Sequence, residues 1–191
     1  MKPPAVTLLL ILAVPPFVRL EAGELNGVTL PDQIQVDSRT LVLNGMGLRQ
    51  ATFLKVSVYV AGLYLEAKSS DAEAILRSAG TKRLVMQFVR SVGRKDLIKA
   101  WDEGFEKNAG ASQEAFKERI ATLDSYMSDM PKGSVMSFTY LPDKGVVVEV
   151  QGAAKGTIPG ADFAEAFYRI WLGADPPNPG LKEGLLGRNP P

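Results

Sequence analysis

Apolar and polar positions change their period along this chain in an order that divides it into elements. From Val28 to Val42 short apolar runs are punctuated by Pro31, Asp32, Asp37 and Ser38, which predicts two or three short strands joined by tight turns. Phe53 to Leu65 is rich in Val, Tyr and Leu with no breaker before Gly62, so it predicts a strand long enough to cross a whole sheet. Along it Lys55, Ser57 and Tyr59 fall on one face and Leu54, Val56, Val58 and Val60 on the other. The second face is therefore expected to be covered, and the first to line something partly polar.

Ser70-Asp71-Ala72-Glu73 has the spacing of a capping box, opening a short helix through Ala79 that stops at Gly80. Leu84 to Val89 returns as a strand. After Gly93, Leu97, Ile98, Trp101 and Phe105 recur at helical spacing, and after Gly110 so do Phe116, Ile120, Leu123 and Met127, giving two amphipathic helices. Ser134 to Tyr140 and Gly145 to Val150 read as strands joined by the turn Pro142-Asp143-Lys144-Gly145, and Ala153 to Ile158 adds a third. Pro159-Gly160 opens a helix with Phe163, Phe167, Ile170 and Trp171 on one side, closed by Gly173. The proline-rich tail is expected to be loosely held, apart from a helical turn near Leu181 to Leu186. Strands at both ends of a helical middle predict an α+β domain, with helices packed on one face of a mainly antiparallel sheet.

The N-terminus changes this picture only in its first residues. Lys2, the apolar run Ala5 to Val18 and the break at Pro15-Pro16 predict a signal peptide over residues 1–22, with Ala22-Gly23 as the cleavage site. The run is shorter than the roughly 20 apolar residues a spanning helix needs. An uncleaved anchor is the alternative. Residues 23–191 then form a single domain, periplasmic or secreted, with no stable membrane span once the signal is removed. Removing residues 1–22 takes away Lys2, Arg19 and Glu21 and leaves equal numbers of basic and acidic residues. Without a surplus of Lys and Arg, nucleic acid is not an expected partner.

The 191 residues include no cysteine and no histidine. Export therefore adds no disulfide, and the fold must hold through its core. The usual neutral-pH base, the thiolate nucleophile and most zinc ligand sets are absent, so neither a metal nor another cofactor is expected. No Ser-x-x-Lys, Gly-x-Ser-x-Gly or phosphate loop occurs. Gly45-Met46-Gly47 reads as a glycine turn beside Arg49 and is a fragment of a dinucleotide fingerprint, but Arg49 stands where the helix should begin and a strand follows.

Gly45-Met46-Gly47-Leu48-Arg49 and Val58 to Glu66 resemble the Gly-x-Gly-x-Arg and Gly-x-Tyr-Leu-Glu segments of chalcone isomerases. Arg94 to Gly110 resembles the helix that carries active-site residues in the plant enzymes. Ile158-Pro159-Gly160, Glu165-Ala166 and Leu172-Gly173 resemble their C-terminal helix. The resemblance runs from about Val28 to Gly187 and is nearest to an exported bacterial chalcone isomerase-like branch, in which Gly156 to Phe163 is typical. It implies the open-faced sandwich of that family.

In the plant isomerases the matching arginine stabilises enolate and phenolate charge, a threonine and a tyrosine order a water at the ketone, and polar groups on two helices hold the substrate. Here the arginine is Arg49, while Tyr59, Arg94, Leu97, Trp101 and Ala164 stand where the threonine, tyrosine, lysine, asparagine and C-terminal-helix hydroxyl would be. The same fold includes fatty-acid-binding proteins, in which an arginine and a strand tyrosine grip a carboxylate beneath an apolar tunnel. That resemblance implies Arg49 and Tyr59 as head-group contacts for a small apolar carboxylate, with Arg94, Trp101, Phe105, Ala164 and Phe167 as pocket wall. Two other readings stand beside it: an intramolecular lyase or isomerase acting through Arg49, and a structural or partner-binding domain with no ligand. Core packing already explains the spacing of Trp101, Phe105 and Phe167, and Arg90, Arg94, Lys95 and Lys99 read as a solvated helix edge.

Overall fold

A computed structural model describes residues 22–51, 54–109 and 114–188 of the chain. The expected signal peptide, apart from Ala22, lies outside these residues, as do Phe53 and Gly110.

A hairpin of β1 (Ala22–Leu25) and β2 (Val28–Pro31) precedes a sheet of seven strands. These are β3 (Gln33–Val36), β4 (Arg39–Ala51), β5 (Val56–Leu65), β6 (Lys82–Phe88), β7 (Val135–Leu141), β8 (Gly145–Val150) and β9 (Ala153–Ile158). Their order in space is their order in sequence, and every neighbouring pair is antiparallel. The helices are α1 (Ala72–Arg77), α2 (Arg94–Ala109), α3 (Lys117–Ser125, after a 3-10 turn at Glu114–Phe116), α4 (Ala161–Leu172) and α5 (Pro179–Leu185). This is the α+β open-faced sandwich expected from the sequence.

Period-two burial explains which side the helices take. In β6 Lys82, Leu84, Met86 and Phe88 are buried, and between them Arg83, Val85 and Gln87 are half-buried. The buried set joins Tyr59, Ala61, Leu63 and Leu65 of β5, Phe138 of β7 and Val148 of β8 in one core with α2 and α4. Val60 and Tyr64 of β5 point the other way, into a smaller core with Val28 and Leu30 of the hairpin. The alternation read along β5 holds from Tyr59 onward, with the hairpin covering the second face. The register shift beside Tyr59 reverses it before that point: Val58 packs against the helix-side core, Ser57 lies on the hairpin side and Leu54 is exposed.

Three local expectations are corrected. The long strand of this pair is β4, with 13 residues, whereas β5 begins only at Val56 and has 10. Gly45 and Gly47 lie inside β4 and make no turn. A Cβ at Gly45 would sit 2.1 Å from the Gly184 carbonyl oxygen, and one at Gly47 would sit 2.4 Å from that of Leu181, so these glycines let α5 lie directly on the strand. The cap of α1 is Asp71, which accepts a hydrogen bond from the Ala74 amide at 3.1 Å, one residue later than the box beginning at Ser70 predicts.

The helical turn expected near Leu181 to Leu186 is α5, and the proline-rich stretch leading to it, expected to be loose, is fastened at Asn178. Leu181, Leu185 and Leu186 are fully buried. The Asn44 amide donates to the Leu185 carbonyl at 2.8 Å while its oxygen accepts from the Ser69 amide at 2.8 Å. Small residues on one strand and leucines on one short helix are enough to seat it, because each supplies what the other lacks.

Candidate functional site

The site lies where β4 ends and β5 begins. Arg49 and Tyr59 are cross-strand partners, and the register shifts immediately after them, between Arg49 and Gln50. Both side chains lie on the helix-facing side of the sheet. There α2, Ile170 of α4 and the connection after α4 enclose a cavity of about 430 Å³, with Arg49, Tyr59, Phe88, Leu97 and Trp101 among its walls. A volume of this size is in the range of small-molecule sites.

Arg49 is half-buried and held by backbone oxygens. One terminal nitrogen donates to the carbonyl of Gln50, to that of Pro177 at 2.9 Å and to Asn178 Oδ1 at 3.1 Å. Among the described residues no carboxylate lies within ion-pair distance of it. The guanidinium is thus oriented without being neutralised. Such a cation can still meet an anion through its remaining N–H groups.

Tyr59 is a buried phenol whose oxygen accepts from the Trp171 indole Nε1 at 3.0 Å. Because the indole can only donate, the phenol proton remains available to a ligand. Burial pushes the Tyr59 hydroxyl up to about 12, against the opposing effects of the Trp171 hydrogen bond and the Arg49 charge. It is therefore a neutral donor near neutral pH. Tyr59 and Phe88 meet edge to face with ring centroids 5.7 Å apart, closing the sheet side of the cavity.

The connection after α4 forms a strap along the rim. At one end Asn108 of α2 donates to the Asp175 carbonyl at 3.0 Å and accepts from its amide at 3.1 Å. At the other, Asn178 donates to the Gln50 carbonyl at 3.0 Å and accepts from its amide at 3.0 Å. Each amide side chain copies the pairing of a strand, and the prolines 176 and 177 between them have no N–H to satisfy. The exposed mouth carries Arg90 and Lys107 beside Asp96, Glu103 and Asp175.

Of the residues singled out from the sequence, Arg49, Tyr59 and Trp101 meet at this cavity. The other four expected wall positions are corrected. Arg94 reaches away, donating from Nε to the Met127 carbonyl at 3.0 Å and from a terminal nitrogen to the Asp124 carbonyl at 3.0 Å, and so ties α2 to the end of α3. Phe105 packs against Phe163 and Phe167, and Phe167 lies 4.6 Å from Phe138, so both are core. Ala164 is buried in the same core. Trp171, Gln50, Asn178 and the strap were not singled out as site residues. The only local sign of the strap is the run Pro176-Pro177-Asn178-Pro179, which looks the same whether a segment is free or pinned. Among the described residues no group of carboxylates could hold a metal ion, and no helix is long and apolar enough to cross a membrane.

The family model described as chalcone isomerase-like matches residues 22–187. Among solved structures, the fatty-acid binding protein of Arabidopsis thaliana superposes with a TM-score of 0.67 at 17% identity, covering 87% of this chain and 96% of its own. That likeness is one of fold. No curated protein sequence matches the chain.

Proposed function

The chain belongs to the chalcone isomerase-like family, and we propose that it is an exported, non-catalytic binding protein for an apolar carboxylate such as a fatty acid, its head group held by Arg49 and Tyr59. The observation that carries this reading is their pairing across β4 and β5 on the wall of a cavity of about 430 Å³, with no acidic partner for Arg49 among the described residues. A similar fold in a protein named for fatty-acid binding fits the same reading. The export half rests on the apolar N-terminus and belongs to the periplasm or the exterior.

The physical division of labour follows from magnitudes. A hydrogen bond to a charged group contributes about 1.5 to 3 kcal/mol, and each buried methylene about 0.8 kcal/mol. The tail supplies most of the affinity. Arg49 and Tyr59 decide which end of the ligand enters and reject tails without an acid.

The protein's 2 tryptophans, Trp101 and Trp171, both touch this site, the second through Tyr59, so intrinsic fluorescence reports occupancy. Titration with decanoate should change the emission, and decanol should bind about tenfold or more weakly, as expected for losing one charged hydrogen bond. Arg49→Lys and Tyr59→Phe should each weaken decanoate and leave decanol unchanged. Equal affinity for acid and alcohol would remove the head-group assignment. Recovery of the full-length chain in the cytoplasm with residues 1–22 intact would remove the export half.

A further inference from the structure

The cavity ends where a tunnel would have to begin. Trp101 is 3% exposed and stands at the inner wall. Its ring centroid lies 5.4 Å from that of Trp171, 5.8 Å from Phe138 and 6.4 Å from Phe167. Behind it Phe167 lies 5.1 Å from Trp171 and 4.6 Å from Phe138. Rings at these separations are in edge or tilted contact, and a methylene chain cannot pass between them without displacing one. The indole is also pinned, since its Nε1 donates to the Met127 sulfur at 3.1 Å. Phe88 and Ile170, each 1% exposed, close the sheet side and the α4 side.

We infer that the site takes a compact carboxylate, with a short acyl chain or a single ring as its tail, in place of a long-chain fatty acid, and that Trp101 sets this limit. The inference rests on the reading of Arg49 and Tyr59 as head-group contacts and adds the size of the ligand to it. A tail that leaves Arg49 and runs along Leu97, Ala100 and Trp101 of α2 meets the ring wall and has one remaining direction, outward. The mouth there is lined by Arg90, Asp96, Glu103 and Lys107, all exposed and charged. Carbons that reach it stay in water and bury no further surface. A flat ring, by contrast, fits against the indole and Phe88 without needing depth.

The consequence is a break in a chain-length series. Inside the cavity each methylene should tighten binding about fourfold; beyond it the gain should stop. Calorimetric titration of the mature protein with hexanoate, octanoate, decanoate, laurate and palmitate, each below its micelle concentration, reads this directly. The expected result is a rise through the short acids and then a plateau, with laurate and palmitate within about twofold of each other. Affinity that keeps rising to palmitate overturns the limit while the carboxylate reading survives. Failure of every acid in the series, and of benzoate titrated beside it, to bind overturns both.

The role of Trp101 is tested in the same series. Trp101→Ala should move the plateau to longer acids by opening the route toward Phe138 and Phe167. Trp101→Leu is the milder variant should the alanine chain fail to fold, and it should shift the plateau in the same direction by less. A folded variant whose plateau stays at the wild-type length would show that another group forms the stop. An Arg49→Lys series should fall in affinity at every length with its plateau unmoved, which separates loss of the head-group contact from loss of the limit.

Discussion

The indole of Trp171 donates to the hydroxyl of Tyr59 across 3.0 Å, between α4 and β5, with both groups buried. One bond ties α4 to the strand that carries the site and leaves the phenol proton free to donate. The same contact is structural and functional, so the two roles have to be separated by experiment.

Tyr59→Phe strands the Trp171 N–H in the interior, and an unpaired buried donor costs about 1 to 3 kcal/mol. The variant should lose that much in urea-denaturation stability. Combined with Trp171→Phe, the total loss should be about 1 kcal/mol smaller than the sum of the single losses, because the double variant leaves nothing unpaired. Strict additivity in that cycle would mean that the two groups do not share the bond.

Gly47→Ala places a methyl against the Leu181 carbonyl oxygen, which belongs to the backbone and cannot swing aside. The expected loss is about 1 to 3 kcal/mol, the range for overpacking, together with faster proteolysis of the segment after Gly173. Gly180 is the control, since nothing lies within 4 Å of a Cβ there. Gly180→Ala should be neutral or slightly stabilising by helix propensity. Equal effects at both glycines would refute close seating of α5 on β4.

Asp124 of α3 is raised to about 6 from the ordinary aspartate value of 3.8, first by burial and then by the charge of Asp102, with Arg94 opposing. One of its carboxylate oxygens is buried without a hydrogen-bond partner. The sign follows from proton binding. Below about pH 4 both folded and unfolded states carry the proton and Asp124 contributes nothing. Between that point and about pH 6 the folded state keeps a proton that the unfolded state releases, so stability falls as pH rises, and the penalty is complete above pH 6. After discounting for solvent screening of a partly exposed group, the penalty is about 1 kcal/mol. Asp124→Asn should therefore be more stable than the parent at pH 7 by about that amount, and the two should converge near pH 3.5. A constant difference across that range would assign the effect to packing.

Much of the architecture was legible because it depends on near neighbours. The short apolar runs of β6 to β8 and the helical spacing of Leu97, Trp101 and Phe105 need only the rule that apolar faces turn inward. The family segments placed Arg49 and Tyr59, and the register pairs those two residues directly. Gly45 and Gly47 were misread as a turn because the reason for them is a helix more than 130 residues later in the chain. Arg94 and Phe167 shared their helices with true wall residues, and spacing alone did not tell which turn of the helix faced the cavity.

What the amino-acid order determined by itself was the set of elements, the faces they bury and the lack of thiol and imidazole chemistry, since each of these is a property of local pattern or of composition. What the tertiary structure decided was where empty space remains. Whether a ring fills a core or walls a cavity depends on what packs behind it, and for Trp101 that is Phe138, Phe167 and Trp171, brought from β7 and α4. Whether a proline-rich segment is loose or forms a rim depends on two amides, Asn108 and Asn178, finding backbone partners more than 60 positions away. Packing is a relation among distant residues, and it exists only once the chain has closed on itself.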